Sequence, residues 1–158
     1  VRRVNLQEYL EIRKVRLLLE PYAALQAMPY IDDAVIDELE KLHAVLVQAE
    51  SKKDYPTALQ ANYDFHFMVY RRSNMPHLIE ILERLWVQIG STMTFLYPFG
   101  HPTYEGDHQH LHMLAALRAR DPDAVLAAYE ADLVEGGRNF LRYLEEMEKS
   151  GVHKPAGP

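Results

Sequence analysis

Apolar residues recur every three or four positions along most of the chain, in about six stretches separated by clusters of Pro, Gly and Asn. This spacing is typical of amphipathic helices, and no segment shows the alternation of a half-buried strand. The predicted helices cover residues 5–27, 32–51, 54–73, 76–97, a stretch ending near residue 120, and 121–149. Because short connections place long helices side by side in opposite directions, we predict an all-α fold, an antiparallel bundle of six to seven helices.

Prolines and glycines refine these boundaries. Pro21 removes a hydrogen bond from the first helix, so we expect a kink there or an end to the first part of that helix. Residues 100–102 (Gly-His-Pro) predict a loop between the fourth and fifth helices. The sixth helix is predicted to continue to Lys149 through Gly136 and Gly137, which indicate a place where a side chain would obstruct something.

Composition limits the class of protein. The 158 residues are 48% hydrophobic, enough for one buried core. The net charge of -6 gives no positive field for nucleic acid, so we do not expect this chain alone to grip DNA. The chain has no cysteine, so any metal must be held by nitrogen and oxygen. No run approaches the ~18 apolar residues of a membrane span and none resembles a secretion signal, so we expect a cytoplasmic protein without a membrane partner.

The third helix carries two polar residues on the face that we expect to be buried. At about 100° per residue, Asn62 and His66 share a face with the apolar Val69. Asp64 projects to nearly the opposite side by the same estimate. We therefore expect Asn62 and His66, but not Asp64, to point into the interior.

The fifth and sixth helices each add one inward polar residue. His110 shares an apolar stripe with Leu114. His108 and His112 lie more than about 90° from that stripe, so we expect both to face solvent. Asp132 continues a series of apolar positions on the sixth helix, and we expect it to face inward as well.

Four polar groups from three helices are thus aimed at one core. An unpaired buried carboxylate is strongly destabilising, so it needs a cation or a set of donors. Two imidazoles, one carboxylate and one amide oxygen suit a divalent transition metal: zinc, nickel, iron or manganese. We therefore predict a metal site at Asn62, His66, His110 and Asp132.

A small molecule could complete the coordination of such a metal. Arg16 lies on the inward face of the first helix, with Glu20 as an i,i+4 partner. Because a planar guanidinium binds carboxylates bidentately, we expect Arg16 to be a second anchor for a small-molecule carboxylate effector.

Simpler roles are open for each residue. An inward histidine can be a hydrogen-bonded core residue, Asn62 can bond to a neighbouring helix, and Asp132 can pair with an arginine such as Arg16. The convergence of the four groups favours a joint role over these separate ones.

Several motifs follow one another along the chain. They are Arg16–Glu20 with Ala23–Ala24, Asn62–His66, Ser73–Asn74, Leu78–Trp86, and His110–Asp121 followed by Pro122–Ala124. In this order they resemble the effector-binding (FCD) domain of the FadR subfamily of GntR transcription regulators. The resemblance runs from about residue 9 to residue 145.

The resemblance implies an all-helical bundle that binds a small effector, often an organic acid, and helps to form a homodimer. In many members of the family, one aspartate and three histidines hold a metal. Here Asn62 stands at the aspartate position, His66 and His110 keep two histidine positions, and Asp132 replaces the third histidine. The set of ligands therefore still contains one carboxylate, but at position 132 instead of position 62. Other branches of the family bind acyl-CoA without a metal, and a metal-free acyl-CoA-type sensor is the alternative function.

Regulators of this family carry a winged helix-turn-helix before the effector domain. We expect residues 1–158 to be a single C-terminal effector-binding and dimerisation domain from which that N-terminal domain is absent. Val1–Val4 would fit the end of a wing, so the chain is expected to be a fragment. Operator DNA would be bound through the absent domain. Effector binding is expected to reorient the dimer and so change the spacing of the DNA-reading heads.

An enzyme is the main rival class. Glu40–His43 and Glu105–His108 match the E-x-x-H pattern of di-iron bundles. Glu40 and Glu105 fall on the outer sides of their helices, and no inward pair of glutamates completes such a site, so we expect no enzyme. A mononuclear metalloenzyme, which would turn over a substrate, and a purely structural dimerisation module, which would bind neither metal nor acid, are the other functions to test.

Overall fold

The computed structural model describes residues 3–101 and 106–151, and within them it contains helices and no strand. The helices are α1 (Leu6–Ala27), α2 (Asp33–Ser51), α3 (Tyr55–Tyr70), α4 (Pro76–Gly100), α5 (Gln109–Ala119), α6 (Pro122–Ala131) and α7 (Arg138–Lys149). Short 3-10 turns follow α1 and α3, and a π turn at Asp132–Gly136 joins α6 to α7. The predicted all-α class is confirmed.

Side-chain caps fix where most of these helices begin. At the start of α1, the Asn5 side chain accepts the N–H of Glu8, and the Glu8 carboxylate accepts the N–H of Asn5. Asp32, Asp54 and Asp121 cap α2, α3 and α6 through the same kind of bond. Because such caps satisfy N–H groups that have no partner inside the helix, helix starts can be predicted from the sequence.

The first helix does not end at Pro21. α1 runs unbroken from Leu6 to Ala27, with Pro21 buried inside it beside Glu20 and Ala23. Proline removes one backbone hydrogen bond, but burial of this face in the core outweighs that loss.

The predicted loop at residues 100–102 is wrong at its first residue. α4 extends to Gly100, and its cap His101 donates its N–H to the carbonyl of Tyr97. Gly100 is buried against α7, where an added Cβ would lie 3.3 Å from Cα of Phe140. Glycine here thus permits close packing against α7 and is the last residue of the helix, not the first residue of a loop. Pro102 lies outside the described residues.

The predicted sixth helix is interrupted. α6 ends at Ala131, and the backbone then forms the π turn before α7 begins. A Cβ on Gly137 would lie 2.9 Å from the carbonyl oxygen of Leu133 and 3.0 Å from the hydroxyl of Tyr9. Gly137 therefore allows a close approach that any larger residue would obstruct, as the glycine pair predicted. π turns occur frequently at functional sites.

Helix α1 lies at the centre of the bundle and packs against α3, α4, α6 and α7. The main hydrophobic cluster fills the space among α1 to α6 and includes Phe65, Phe67 and Leu82. A second cluster joins α1, α4 and α7, and a third joins α2 and α3 to the end of α4. Among the described residues, no helix is both long and apolar enough to cross a membrane.

Candidate metal centre and ligand pocket

A pocket opens where the three hydrophobic clusters meet. Its cavity volume is about 70 Å³, which is below the roughly 300–1,000 Å³ of sites for drug-sized molecules, so only a small ligand fits. Its apolar wall includes Tyr9, Trp86 and Phe140, and Gly136 and Gly137 also line it. The polar side chains that line the pocket are Arg13, Arg16, Asn62, His66, His108 and Asp132.

Three of the predicted ligands meet at one wall of this pocket. Nε2 of His66 lies 3.3 Å from Oδ2 of Asp132 and 3.3 Å from Nε2 of His110. Nε2 of His110 lies 3.9 Å from Oδ1 of Asp132. The side chains come from α3, α5 and the π turn, so residues distant in sequence converge on one point. Asn62, one helical turn before His66, lines the same pocket.

Local structure explains how each of the three groups is held. His66 lies in α3 and is 2% exposed. His110 is in the first turn of α5, 1% exposed, with its ring stacked on Phe65 at a centroid distance of 3.9 Å. Asp132 is the first residue of the π turn. The sequence prediction that these side chains face inward is therefore correct for all three.

A chain of hydrogen bonds assigns the tautomer of His66. The hydroxyl of Tyr70 donates to Glu20, with 2.8 Å between the oxygen atoms, so it must accept a hydrogen bond from Nδ1 of His66, 3.0 Å away. Nδ1 of His66 therefore carries a proton, and Nε2 faces Asp132 and His110. Such outer bonds orient metal-ligating histidines in known metal sites.

Asp132 is an ionised carboxylate at neutral pH. Burial raises its pKa, but the hydrogen bond between its carboxylate and the His66 imidazole and the electrostatic interaction with His66 outweigh burial and bring the pKa to about 2. Burial lowers the pKa of His110 well below its ordinary value, against the opposing charge of Asp132, so His110 is neutral. A neutral imidazole and a carboxylate are the protonation states that metal binding requires.

The donor atoms of His66, His110 and Asp132 suit a metal ion. The Nε2 lone pair of His66 faces a carboxylate, so either a proton or a cation must lie between them. A proton between them satisfies only His66 and Asp132, whereas a metal cation can also accept the lone pair of His110. Two imidazole nitrogens and a carboxylate oxygen within 4.8 Å of one another form a set that suits zinc, nickel, iron or manganese. The residues present fit the predicted metal.

Arg16 is buried beneath the pocket and already has a partner. Its Nε donates to Oε1 of Glu20 at 2.5 Å, and its guanidinium lies 4.5 Å from the ring centre of Trp86. The carboxylate of Glu20 also accepts bonds from Nε1 of Trp86 and from the hydroxyl of Tyr70. The predicted pairing of Arg16 with Glu20 is therefore present, and Asp132 is not the partner of Arg16.

The prediction that His108 and His112 both face solvent is wrong for His108. His112 is exposed, but His108 lines the pocket and caps α5, with its Nδ1 accepting the N–H of His110 at 3.1 Å. A residue that precedes a helix does not follow the helical phase, so the estimate from periodicity did not apply to it. Burial, with the charge of His43, lowers the pKa of His108 to about 4.

Sequence reasoning missed two further residues at this site. His43, half-buried on α2, forms with His108 and His110 a second group whose ring nitrogens lie within 4.8 Å of one another. Arg13 lines the pocket one turn before Arg16. Glu40 is exposed and paired with Arg118 at 2.9 Å, as expected for a residue on the outer side of its helix. Glu105 lies outside the described residues.

An all-α bundle with an interior pocket and convergent polar groups defines a class of ligand-sensing domains. The comparison with known families specifies which one: the FCD domain model matches residues 11–134, and the chain belongs to this family. The match spans the first helix, His66, His110 and Asp132, and it confirms the resemblance to the effector domain of FadR-type GntR regulators.

Two comparisons point to the same regulator. Over 115 residues, 72% of this chain, the sequence is 36% identical to the HTH-type transcriptional regulator McbR of Escherichia coli strain K12. The solved structure of E. coli McbR/YncC superposes with a TM-score of 0.73 at 30% identity, covering 87% of this chain and 67% of that one. The chain spans about half the length, 52%, of the McbR sequence it matches.

Proposed function

We propose that this domain senses a small organic acid at a divalent transition metal and thereby controls a GntR-type transcription regulator. Membership of the FCD family supports a ligand-sensing regulatory domain. The finer proposal rests on one observation: the imidazoles of His66 and His110 and the carboxylate of Asp132 converge at the wall of the pocket.

The proposed metal is zinc, nickel, iron or manganese, and its protein ligands are Asn62, His66, His110 and Asp132. With a five- or six-coordinate metal, these four residues would leave one or two positions for a ligand from the pocket. A metal supplies positive charge that attracts a carboxylate and discriminates against neutral molecules. Arg16, at the base of the pocket, is a proposed contact of the effector.

In the regulator as a whole, we propose that the domain forms a homodimer and acts on operator DNA through a winged helix-turn-helix outside these residues. The similarity to McbR, a helix-turn-helix regulator, supports this arrangement. Effector binding would favour one arrangement of the dimer and so set the spacing of the DNA-reading heads. Such a regulator would work in the cytoplasm, bind acids without converting them and need no catalytic residue.

Elemental analysis of protein purified without a histidine tag tests the metal. Wild-type protein should carry a transition metal that His66→Ala and His110→Ala lose. His112→Ala is the matched control, because His112 lies on the same helix as His110 but is exposed. Unchanged metal content in both interior variants would remove the site.

Ligand binding separates the alternative functions. Thermal shifts with organic acids, before and after metal removal by a chelator, should show acid binding that depends on the metal. Binding of an acyl-CoA without metal would indicate the metal-free sensor, and release of a product would indicate an enzyme. No response to either metal or acid would indicate a structural dimerisation module.

A further inference from the structure

Arg13 is a cation that lines the pocket and forms no salt bridge with any carboxylate among residues 3–101 and 106–151. It lies on α1, one turn before Arg16, and is partly buried. Its Nε is buried and has no hydrogen-bond partner among the described residues. Its Nη2 lies 3.5 Å from the carbonyl oxygen of Val134, which is long for a hydrogen bond.

The contrast with Arg16 shows what Arg13 lacks. The guanidinium of Arg16 is neutralised by Glu20. In the described part of the chain no carboxylate forms a salt bridge with Arg13. A buried guanidinium N–H without an acceptor is destabilising, and a carboxylate is the group that best satisfies its geometry.

The positions of Arg13 and Asp132 show where such a carboxylate would lie. Both side chains line the same pocket. Val134, which Arg13 contacts, is two residues after Asp132 in the π turn. The positive charges of Arg16 and Arg13 both act on the buried hydroxyl of Tyr9, although burial raises the pKa of Tyr9 overall. The pocket therefore has the proposed metal at one point and an unpaired guanidinium at another.

We infer that Arg13 is a specificity residue and that the effector is a small dianion with two acidic groups. One acidic group binds the proposed metal, and the other accepts two hydrogen bonds from Arg13. This inference rests on the proposed function, because the first group needs the metal. It narrows the effector from organic acids in general to dicarboxylates and similar dianions.

Isothermal titration of the metal-loaded protein with malonate, succinate, acetate and propionate tests this inference. Wild-type protein should bind at least one of the two dicarboxylates about 10–100-fold more tightly than either monocarboxylate, as expected for an added charge-assisted pair. Arg13→Gln should reduce the affinity for the dicarboxylate to that for the monocarboxylates and leave the latter unchanged. Lys14→Gln, which removes an exposed cation from the same helix, is the matched control and should keep the preference.

The outcomes separate the two proposals. If monocarboxylates and dicarboxylates bind equally to wild-type protein, and Arg13→Gln changes neither affinity, the role of Arg13 is overturned while the acid sensor stands. If none of the four acids binds to protein with a full metal content, the proposed sensing function itself fails. A preference for dicarboxylates that persists in Arg13→Gln would assign the second contact to another residue and would also overturn the inference.

Discussion

The hydroxyl of Tyr70 lies 3.0 Å from Nδ1 of His66 and fixes the orientation of that imidazole from below the pocket. Because the same hydroxyl donates to Glu20, it can only accept from His66, and Nε2 is left to face the proposed metal. Loss of such an outer partner typically weakens metal affinity about 10–100-fold.

Tyr70→Phe should therefore lower zinc affinity by about 10–100-fold, measured by competition with a chromophoric chelator. Tyr129→Phe is the control: Tyr129 is as deeply buried and near the ring of His66, but its hydroxyl has no partner among the described residues. Equal zinc affinities in the two variants would show that Tyr70 does not orient the ligand.

The neutral amide of Asn62 offers a way to strengthen the site. Asn62→Asp places a charged carboxylate at a proposed ligand position, so zinc affinity should rise about tenfold, or ~1.4 kcal/mol. Without metal the same variant should be less stable than wild type, because it places a second negative charge beside Asp132. Chelator competition and thermal unfolding with EDTA measure these two effects. An affinity that does not rise would mean that Asn62 does not face the metal.

The close approach at Gly137 predicts a cost in stability. Gly137→Ala places a Cβ 2.9 Å from a backbone oxygen that cannot easily move, and overpacking of this kind destabilises by about 1–3 kcal/mol. Gly90→Ala is the control, since no atom lies within 4 Å of its added Cβ, and it should stabilise α4 by up to ~1 kcal/mol. Urea unfolding of both variants measures the difference, and equal stabilities would contradict the packing described for the π turn.

The ionisation of Glu50, which is not one of the proposed metal ligands, makes the stability of the protein depend on pH. Burial raises its pKa, although the hydrogen bond from Tyr97 and the charge of His101 oppose this. The folded protein therefore keeps the proton of Glu50 at pH values where the unfolded chain has lost it, and stability falls as pH rises from about 4.5 through the raised pKa.

Glu50→Gln removes this titration while an oxygen remains to accept the bond from Tyr97. The variant should gain stability relative to wild type at pH 7 but not at pH 4, measured by urea unfolding at both values. Glu145→Gln, at an exposed site, should show no such change with pH. A gain of equal size at pH 4 and pH 7 would exclude ionisation of Glu50 as the cause.

Much of the fold and part of the site were predictable because both depend on local rules. The caps at Asp32, Asp54 and Asp121 set helix starts through bonds within four residues. His66 and His110 could be assigned to the interior because each lies within a regular helix.

The features that were missed depend on tertiary contacts. Nothing local shows that Gly100 is needed for close packing of α7, or that His108 turns inward as a cap. The pairing of Arg16 with Glu20 was predictable, but only the structure shows that Arg13 lines the pocket and that its Nε has no hydrogen-bond partner among the described residues. The π turn is equally invisible to periodicity, which assumes a constant rotation per residue.

The π turn allows one continuous segment to face two different interiors. Asp132 lines the pocket, whereas Leu144 lies in the cluster between α1, α4 and α7. The hydrogen bonds of a π turn run between residues i and i+5, so it winds more slowly than an α-helix. If the segment after Asp132 wound instead at the α-helical rotation of about 100° per residue, Leu144 would point away from its cluster, so the π turn links the position of Asp132 to the packing of the last helix.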